Sequence, residues 1–329
     1  MSAAVRIGLV GTESSHVDHL VRYCNAEHRA GPARVVAVAP ATPDEQVRDL
    51  GIDRVVGAPE ELLGLVDAVV IADRDARRHA GQALPFLTAG LPTLVDKPFA
   101  ADLADGEAML AAARRHGAPL TSYSALRWHP ALATVTRPEP RAVVTTGPAD
   151  PASPYAGIHF YGTHPVELAL LLAPGEIGPV QVATGDGIVV AHAVVGGTAV
   201  TVQFVAPAEQ PVPFHVQVTG AAEVVGTALE LGPDYLHPGL DAFFAMVRTG
   251  TPPVRLDDLL RPVRFLAPVA HHLAAPGSGT ASTPVRTPDP VPPRNTAPPR
   301  NTAPPRNTAP PRNTAPPRNT APPRNAAQP

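Results

Sequence analysis

Val5-Arg-Ile-Gly-Leu-Val-Gly-Thr-Glu-Ser-Ser-His16 is the stretch on which the fold turns. Residues 5–10 form a short apolar run that reads as a buried strand, and Gly11 ends it. Helical spacing then begins at Ser15 and runs to about Glu27, with Val17, Leu20 and Val21 on one face. A strand that breaks at glycine and reopens as a helix aims the helix N-terminus beyond the strand end, where an anion such as phosphate is stabilised. The same residues also suit a plain strand–helix turn with no ligand.

Outward from this stretch the alternation repeats. Residues 35–39, 54–56, 67–72, 91–95 and 119–123 read as further strands, and helices are predicted from Ala58-Pro59, over 79–89 and over 103–116. Six strands alternating with helices predict a parallel, doubly wound sheet over residues 1–125, the size of one Rossmann domain. Beyond about residue 130 the period changes. Residues 141–146, 180–184, 187–194, 198–205 and 214–219 read as an antiparallel sheet, with a helix over 164–172 and two late helices over 240–247 and 256–273. The expectation is an α/β protein whose second, α+β domain covers 126–275, with ligands between the two domains.

Residues 276–329 differ in kind. Five copies of Asn-Thr-Ala-Pro-Pro-Arg run from Asn295 to Arg324, too poor in apolar surface to offset their ordering entropy, so a disordered tail is expected. The tail holds seven Arg and one Asp, leaving residues 1–275 with a net charge of −9. An acidic body argues against general nucleic-acid binding. One cysteine, Cys24, excludes an internal disulfide and suits a reducing compartment. With no leader pattern after Met1 and no apolar run near 18 residues, the expectation is a cytoplasmic protein with no membrane partner.

Chemistry concentrates in three places. In the first turn, Gly11 can make the tight bend and Ser14 or Ser15 can cap the helix and donate to phosphate, while Glu13 stands where a second glycine would let a pyrophosphate approach. His16 suits either ligand contact or the first helical turn. The second strand ends without the usual ribose-binding acid, and Asp44 and Glu45 follow closely, so NAD and NADP both remain open. The second place is Lys97, the one lysine among 25 arginines. A buried ammonium can lose its proton and a guanidinium cannot, so Lys97 between Asp96 and Pro98 suits acid chemistry or substrate orientation. A structural ion pair is the other reading. The third is Gly157-Ile-His159-Phe-Tyr161-Gly-Thr-His164-Pro-Val-Glu167. His164 and Glu167, three apart, share a helical face, where the carboxylate would raise the histidine's pKa and fix its tautomer. The spacing of His159, His164 and Glu167 is not diagnostic of a metal, and none is expected. Buried structural histidines fit the same pattern.

Taken together, Arg6-Ile-Gly-Leu-Val-Gly11, Pro59-Glu-Glu-Leu-Leu, Val66-Asp-Ala-Val-Val-Ile-Ala72 with His79, Gly90-Leu-Pro-Thr-Leu-Val-Asp-Lys-Pro98, Arg127-Trp-His-Pro130 and Gly162-Thr-His164 resemble the Gfo/Idh/MocA family over about residues 5–275. The order and spacing of the segments make the resemblance specific. It implies Lys97 and His164 as catalytic residues, and His159, Tyr161, Glu167 and Arg127 at the substrate. Gly8, Gly11, Thr12, Ser14, Ser15, His16, Asp73, His79 and Lys97 would bind the cofactor. It further implies an NAD(P)-dependent oxidoreductase of sugars, cyclitols or related polyols, working as a dimer or tetramer. The chain departs from the family's pattern at Glu13, at Phe160 in place of an aspartate four residues before the histidine, and at Glu167 in place of an aspartate three after it. Those departures keep two alternatives in view, a non-redox hydrolase or lyase on this scaffold and a non-catalytic ligand sensor.

Overall fold

The computed structural model describes residues 4–40, 50–52, 54–136, 139–207 and 211–275. Asp44, Glu45 and the repeat segment 276–329 lie outside the described residues. Strands β1 (Arg6–Val10), β2 (Arg34–Ala39), β3 (Arg54–Val55), β4 (Ala68–Ile71), β5 (Thr93–Val95) and β6 (Leu120–Thr121) form one sheet in the order β3-β2-β1-β4-β5-β6. Every pairing is parallel. All four residues of β4 are buried, as a strand covered on both faces requires. The chain's direction of travel reverses between β1 and β4, which opens the ligand crevice of a doubly wound sheet at the strands' carboxyl ends. Backbone bonds continue the ladder past those ends: Gly11 N–H donates to Ala39 O at 2.9 Å, Ala72 to Val10 at 2.7 Å, and Asp96 to Ile71 at 2.8 Å. Gly11, Ala72 and Asp96 therefore arrive at one edge in register.

The helices on this sheet are α1 (Ser15–Val21), α2 (His79–Thr88) and α3 (Leu103–His116). The first is shorter than its spacing predicts, because residues Arg22–Ala26 widen into a π turn. That turn brings Asn25 against β2, where its amide pairs with both the N–H and C=O of Val35, at 2.9 and 3.0 Å. The helix predicted from Ala58-Pro59 is only a 3-10 turn, Pro59–Leu62. Gly64, at φ +79°, redirects the chain just after it.

The second sheet contains β7 (Ala142–Pro148), β8 (Gln181–Gly185), β9 (Ile188–Val195), β10 (Thr198–Val205), β11 (Phe214–Thr219) and β12 (Val224–Leu229), in the order β12-β11-β7-β10-β9-β8. It is mixed, since β10 runs parallel to β7 while the other pairs are antiparallel. The route of the chain explains this: after the short α4 (Leu132–Val135) and β7, the crossover α5 (His159–Leu172) carries the chain to β8 at the far edge, and the antiparallel turns through β9 bring β10 back beside β7 and parallel to it. α5 opens at His159, a turn and a half before the predicted start. Gly162 is a packing position: a Cβ there would lie 3.1 Å from the Phe204 ring. β12 escaped prediction because Gly226 and Ala228 blur its alternation.

After β12 the chain returns to the first sheet. Leu240, Phe243, Phe244 and Met246 of α6 (His237–Thr249) join the core of β1–β6, and Tyr123 at the end of β6 donates its hydroxyl to Gly239 O at 2.5 Å. Helix α7 (Arg261–Ala274), preceded by a 3-10 turn at Leu256–Asp258, sends Phe265, Leu266 and Val269 into the other core. The strand edge is thus roofed by late elements, which is what makes a crevice of it. Among the described residues no helix is long and apolar enough to cross a membrane.

Gly11 sits at φ +81°, and a Cβ there would approach Asp73 N to 2.6 Å. A Gly11→Ala variant should lose about 1–3 kcal/mol from the backbone conformation alone, with more from the clash. Urea unfolding curves of the two proteins measure this directly, and equal stability would show that the turn has another accessible shape.

Candidate active site

Asp96 organises the carboxyl edge of the first sheet. Its carboxylate accepts from His16 Nδ1 at 2.9 Å and, at 3.4 Å, from the hydroxyl of Ser14, which caps α1. Burial pushes this carboxyl upward, but His16 and the Lys97 ammonium outweigh burial and hold it well below the usual carboxylate range. Next in the chain, Lys97 is 7% exposed, and its ammonium makes no hydrogen bond or ion pair among the described residues. The ion pair that sequence permits is therefore not formed. Nζ lies instead 4.7 Å from the Phe160 ring centroid and 5.2 Å from that of Tyr161. Burial drives Lys97 below the ordinary lysine value, Asp96 opposes the shift, and the guanidinium of Arg74 adds to it. Arg74 itself lies 4.8 Å over Tyr155 and 5.3 Å over Phe160.

The opposite wall is α5. The expected pairing of His164 with Glu167 does not occur, because Ser124 stands between them. Ser124 Oγ is 2.7 Å from His164 Nδ1, and its backbone N–H donates to Glu167 Oε2 at 2.7 Å. Arg127 Nε donates to the other carboxylate oxygen at 3.2 Å. Glu167 therefore does not raise His164: burial, with Lys97 and His16 adding and Asp96 opposing, pushes it well below the usual histidine value. Glu167 is pushed up by burial, against the pull of Arg127 and Ser124. Sequence reading missed Ser124. Its signal was position, a small polar residue at the end of β6 three residues before Arg127, where it caps the 3-10 turn Ala125–Trp128.

Ser14, Ser15, His16, Lys97, Tyr161 and His164 line one cavity of about 70 Å³. Phe160 and Tyr161 also border a larger apolar pocket of about 400 Å³, walled by Tyr155 and by Pro148, Pro154, Pro207 and Pro211. Arg127 and Glu167 reach Lys97 through a separate cleft of about 20 Å³. The remaining candidates stand back from the small cavity. His159 is buried, with Nδ1 unpaired, and burial pushes it down to about 4. Gly8 lies within β1, where a Cβ would lie 3.2 Å from Val66. Asp73 spends its carboxylate on Arg78, Gln82 and the N–H of Asp75, at 2.9–3.0 Å. His79 is wholly buried between Pro98 O at 2.9 Å and Asp73 O at 2.8 Å. These residues build the wall behind the edge. In the first turn, Thr12 Oγ1 is buried without a hydrogen-bond partner among the described residues.

Residues 5–124 match the model of the Gfo/Idh/MocA oxidoreductase family, described as an NAD-binding Rossmann fold. A 49-residue segment is 47% identical to D-apiose dehydrogenase from Paraburkholderia graminis, covering 15% of this chain and 13% of that protein. The match therefore spans only a small part of that relative. Among solved structures, myo-inositol 2-dehydrogenase from Lactobacillus plantarum is 15% identical, with a TM-score of 0.69, over 82% of this chain and 96% of the other. Scyllo-inositol dehydrogenase from Lactobacillus casei, bound to NAD(H) and scyllo-inositol, is 14% identical over 79% and 94%, with a TM-score of 0.66. GenD2 from gentamicin A biosynthesis, in complex with NAD, is 19% identical over 84% and 96%, with a TM-score of 0.71. At these identities the likeness establishes the fold.

Removing the Arg127 guanidinium leaves the Glu167 carboxylate buried with the Ser124 N–H alone. Arg127→Ala should cost about 3 kcal/mol at pH 8. Glu167 has a raised pKa in the folded state, so the folded form holds its proton more tightly than the unfolded chain does. Stability linked to this group is therefore lost as pH rises above the ordinary Glu value, and the Arg127→Ala deficit should shrink toward pH 5. Denaturant titrations at the two pH values provide the comparison; a deficit independent of pH would mean that Glu167 is not the group left unpaired.

Proposed function

From the match of residues 5–124 to the Gfo/Idh/MocA oxidoreductase family, we propose that this chain is an NAD(P)-dependent dehydrogenase of a sugar, cyclitol or related polyol. The observation that carries the reading is a desolvated, partnerless Lys97 sharing one cavity with His16 and His164 at the carboxyl edge of the sheet. The named activities of the structural relatives and of the D-apiose enzyme support the substrate class.

The first turn fits a dinucleotide in its donors: the orphaned Thr12 hydroxyl, the exposed Ser15 hydroxyl and the N-terminus of α1, with Gly11 making the bend. A bound nicotinamide cofactor supplies the hydride acceptor. The second strand offers no side chain that separates NAD from NADP. Within the cavity, Lys97 binds the reacting oxygen and stabilises negative charge on it, a role for which a desolvated ammonium is effective. His164 bonds to the same oxygen from α5, and Tyr161 closes over it. The division follows the two sheets, with residues 1–125 holding the cofactor and 126–275 the substrate.

One observation favours a second reading, a non-redox lyase or hydrolase. Glu13 is half-buried in the turn, where a carboxylate opposes an approaching pyrophosphate. Product formed without net change in nicotinamide absorbance would establish it. Association into a dimer or tetramer is supported by the outward face of β7, β9, β10 and β11, which carries no Asp, Glu, Lys or Arg. Light scattering at micromolar protein is expected to give a multiple of 34.1 kDa, and a monomer mass would overturn the association. The buried free thiol of Cys24 suits a cytoplasmic site of action.

NADH or NADPH fluorescence should rise on titration with the protein, and failure of both to bind at millimolar concentration would sink the dehydrogenase reading. In Lys97→Met, polyol oxidation is expected to fall by about 100-fold or more with cofactor affinity retained. Lys97→Arg should restore little of it, because the planar guanidinium differs in shape from the ammonium lying over Phe160 and Tyr161.

A further inference from the structure

Two imidazoles face the cavity beside Lys97, and partners of opposite character hold them. His16 Nδ1 lies 2.9 Å from Asp96 Oδ1. An ionised carboxylate only accepts, so the Nδ1 of His16 carries hydrogen and, in the neutral ring, Nε2 is left with a bare lone pair. No other residue among those described bonds to that Nε2. His164 is the reverse. Ser124 Oγ accepts from Leu126 N–H at 3.3 Å, and among the described residues its hydroxyl hydrogen has no acceptor but His164 Nδ1 at 2.7 Å, so the assignment that satisfies the buried hydroxyl has it donating to that nitrogen. The neutral ring of His164 then carries its hydrogen on Nε2. One imidazole can take a proton from a bound hydroxyl; the other can only donate to its oxygen.

We propose that His16, oriented by Asp96, is the general base of this site, and that His164, set by Ser124, is a fixed hydrogen-bond donor. The proposal rests on the dehydrogenase reading for its substrate and sharpens the proton's path. The substrate O–H bond breaks and its hydrogen forms the Nε2–H bond of His16. The electron pair stays on the substrate oxygen, held by the Lys97 ammonium and the His164 Nε2–H. The imidazolium so formed keeps its charge beside the Asp96 carboxylate, which takes no proton. Phe160 makes the exchange of roles intelligible. It lies under Lys97 with an aromatic face, and Ser124 is the only hydrogen-bond partner of His164 among the described residues, so α5 provides no His–carboxylate pair in the cavity. The first turn does, through His16 and Asp96. The other charged or titratable groups around His16 are Lys97 and Arg74 at the strand ends, His19 one turn on in α1, Tyr161 and His164 from α5, and Tyr235, whose ring is edge-on at 6.0 Å. None of them competes for Nε2 with a hydrogen bond. Asp96 and Ser124 are thus positioning residues.

Ring-nitrogen NMR on the uniformly ¹⁵N-labelled full chain without cofactor is the test, with His16→Gln and His164→Gln identifying the two spin systems. Above neutral pH, His16 should be protonated at Nδ1 and His164 at Nε2. Asp96→Asn should release the first preference and Ser124→Ala the second, while Ser124→Thr keeps it. In kinetics with NAD and NADP on a panel of inositols and aldoses, His16→Gln should lower kcat by about 100-fold or more and leave NADH affinity within about twofold. A neutral His16 protonated at Nε2 overturns the proposal, as does a His16→Gln enzyme that loses NADH affinity but keeps kcat, since His16 would then belong to the cofactor's cradle. Wild-type protein that binds neither NADH nor NADPH would remove the dehydrogenase reading instead, and the cofactor-free tautomers would still decide the assignment of base and donor.

Discussion

The 2.9 Å bond from His16 Nδ1 to Asp96 is the constraint on which the site depends, because it joins two segments of sequence that the sheet merely brings near. Strand order alone places the end of β1 and the end of β5 at one edge, two positions apart. It does not fix where the first turn lies relative to Lys97. The carboxylate does, holding Ser14 and His16 on one side and, through the chain, Lys97 on the other. A buried carboxylate is costly unless its oxygens are paired. Here His16, Ser14 and the adjacent ammonium lower that cost, so ionised Asp96 belongs to the folded state only while the turn keeps its shape. The clasp therefore couples the geometry of the first turn to that of Lys97.

Against this anchored anion stand two cations without carboxylate partners among the described residues. Lys97 and Arg74 both rest on aromatic faces, and each raises the energy of the other. Aromatic rings offer a desolvated cation about 0.5–2 kcal/mol, less than a buried ion pair would, and they leave its charge available to a ligand. The edge is thus held in a state that a substrate oxygen bearing negative charge would relieve. That is the arrangement expected of a surface complementary to a transition state more than to a resting ground state.

Much of the architecture was legible because its signals are local. Helix α3 carries Asp102 before it and Gly117 after it, and its predicted and observed bounds coincide. Where tertiary contacts decided the matter, reading failed. Nothing within residues 22–26 announces a π turn, since its cause is Asn25 bonding to β2 ten residues away. The mixed order of the second sheet likewise depends on how far across the sheet the crossover from β7 carries the chain before β8 begins. For the site, Lys97 and His164 stood out by composition and motif, and both line the cavity. Pairing was less legible: helical spacing put Glu167 beside His164, but spacing cannot see a serine from another element entering between them. A hydroxyl at position 124 is chemically unremarkable until β6 delivers it to α5.

The choice of lysine at position 97, in a chain that otherwise uses arginine throughout, follows from the shape of this space. The neighbours on offer are two ring faces from Phe160 and Tyr161 and a cavity of about 70 Å³. A guanidinium binds best where two oxygens present a planar fork, and the adjacent Asp96 carboxylate is already taken by His16 and Ser14, as Glu167 is by Arg127 and Ser124. A compact ammonium needs no fork. It can lie over an aromatic face, present a single N–H to a single oxygen, and shift its proton affinity with burial. With Phe160 presenting a ring face, an arginine here would stand without a bidentate partner, whereas a lysine keeps an N–H free for one oxygen.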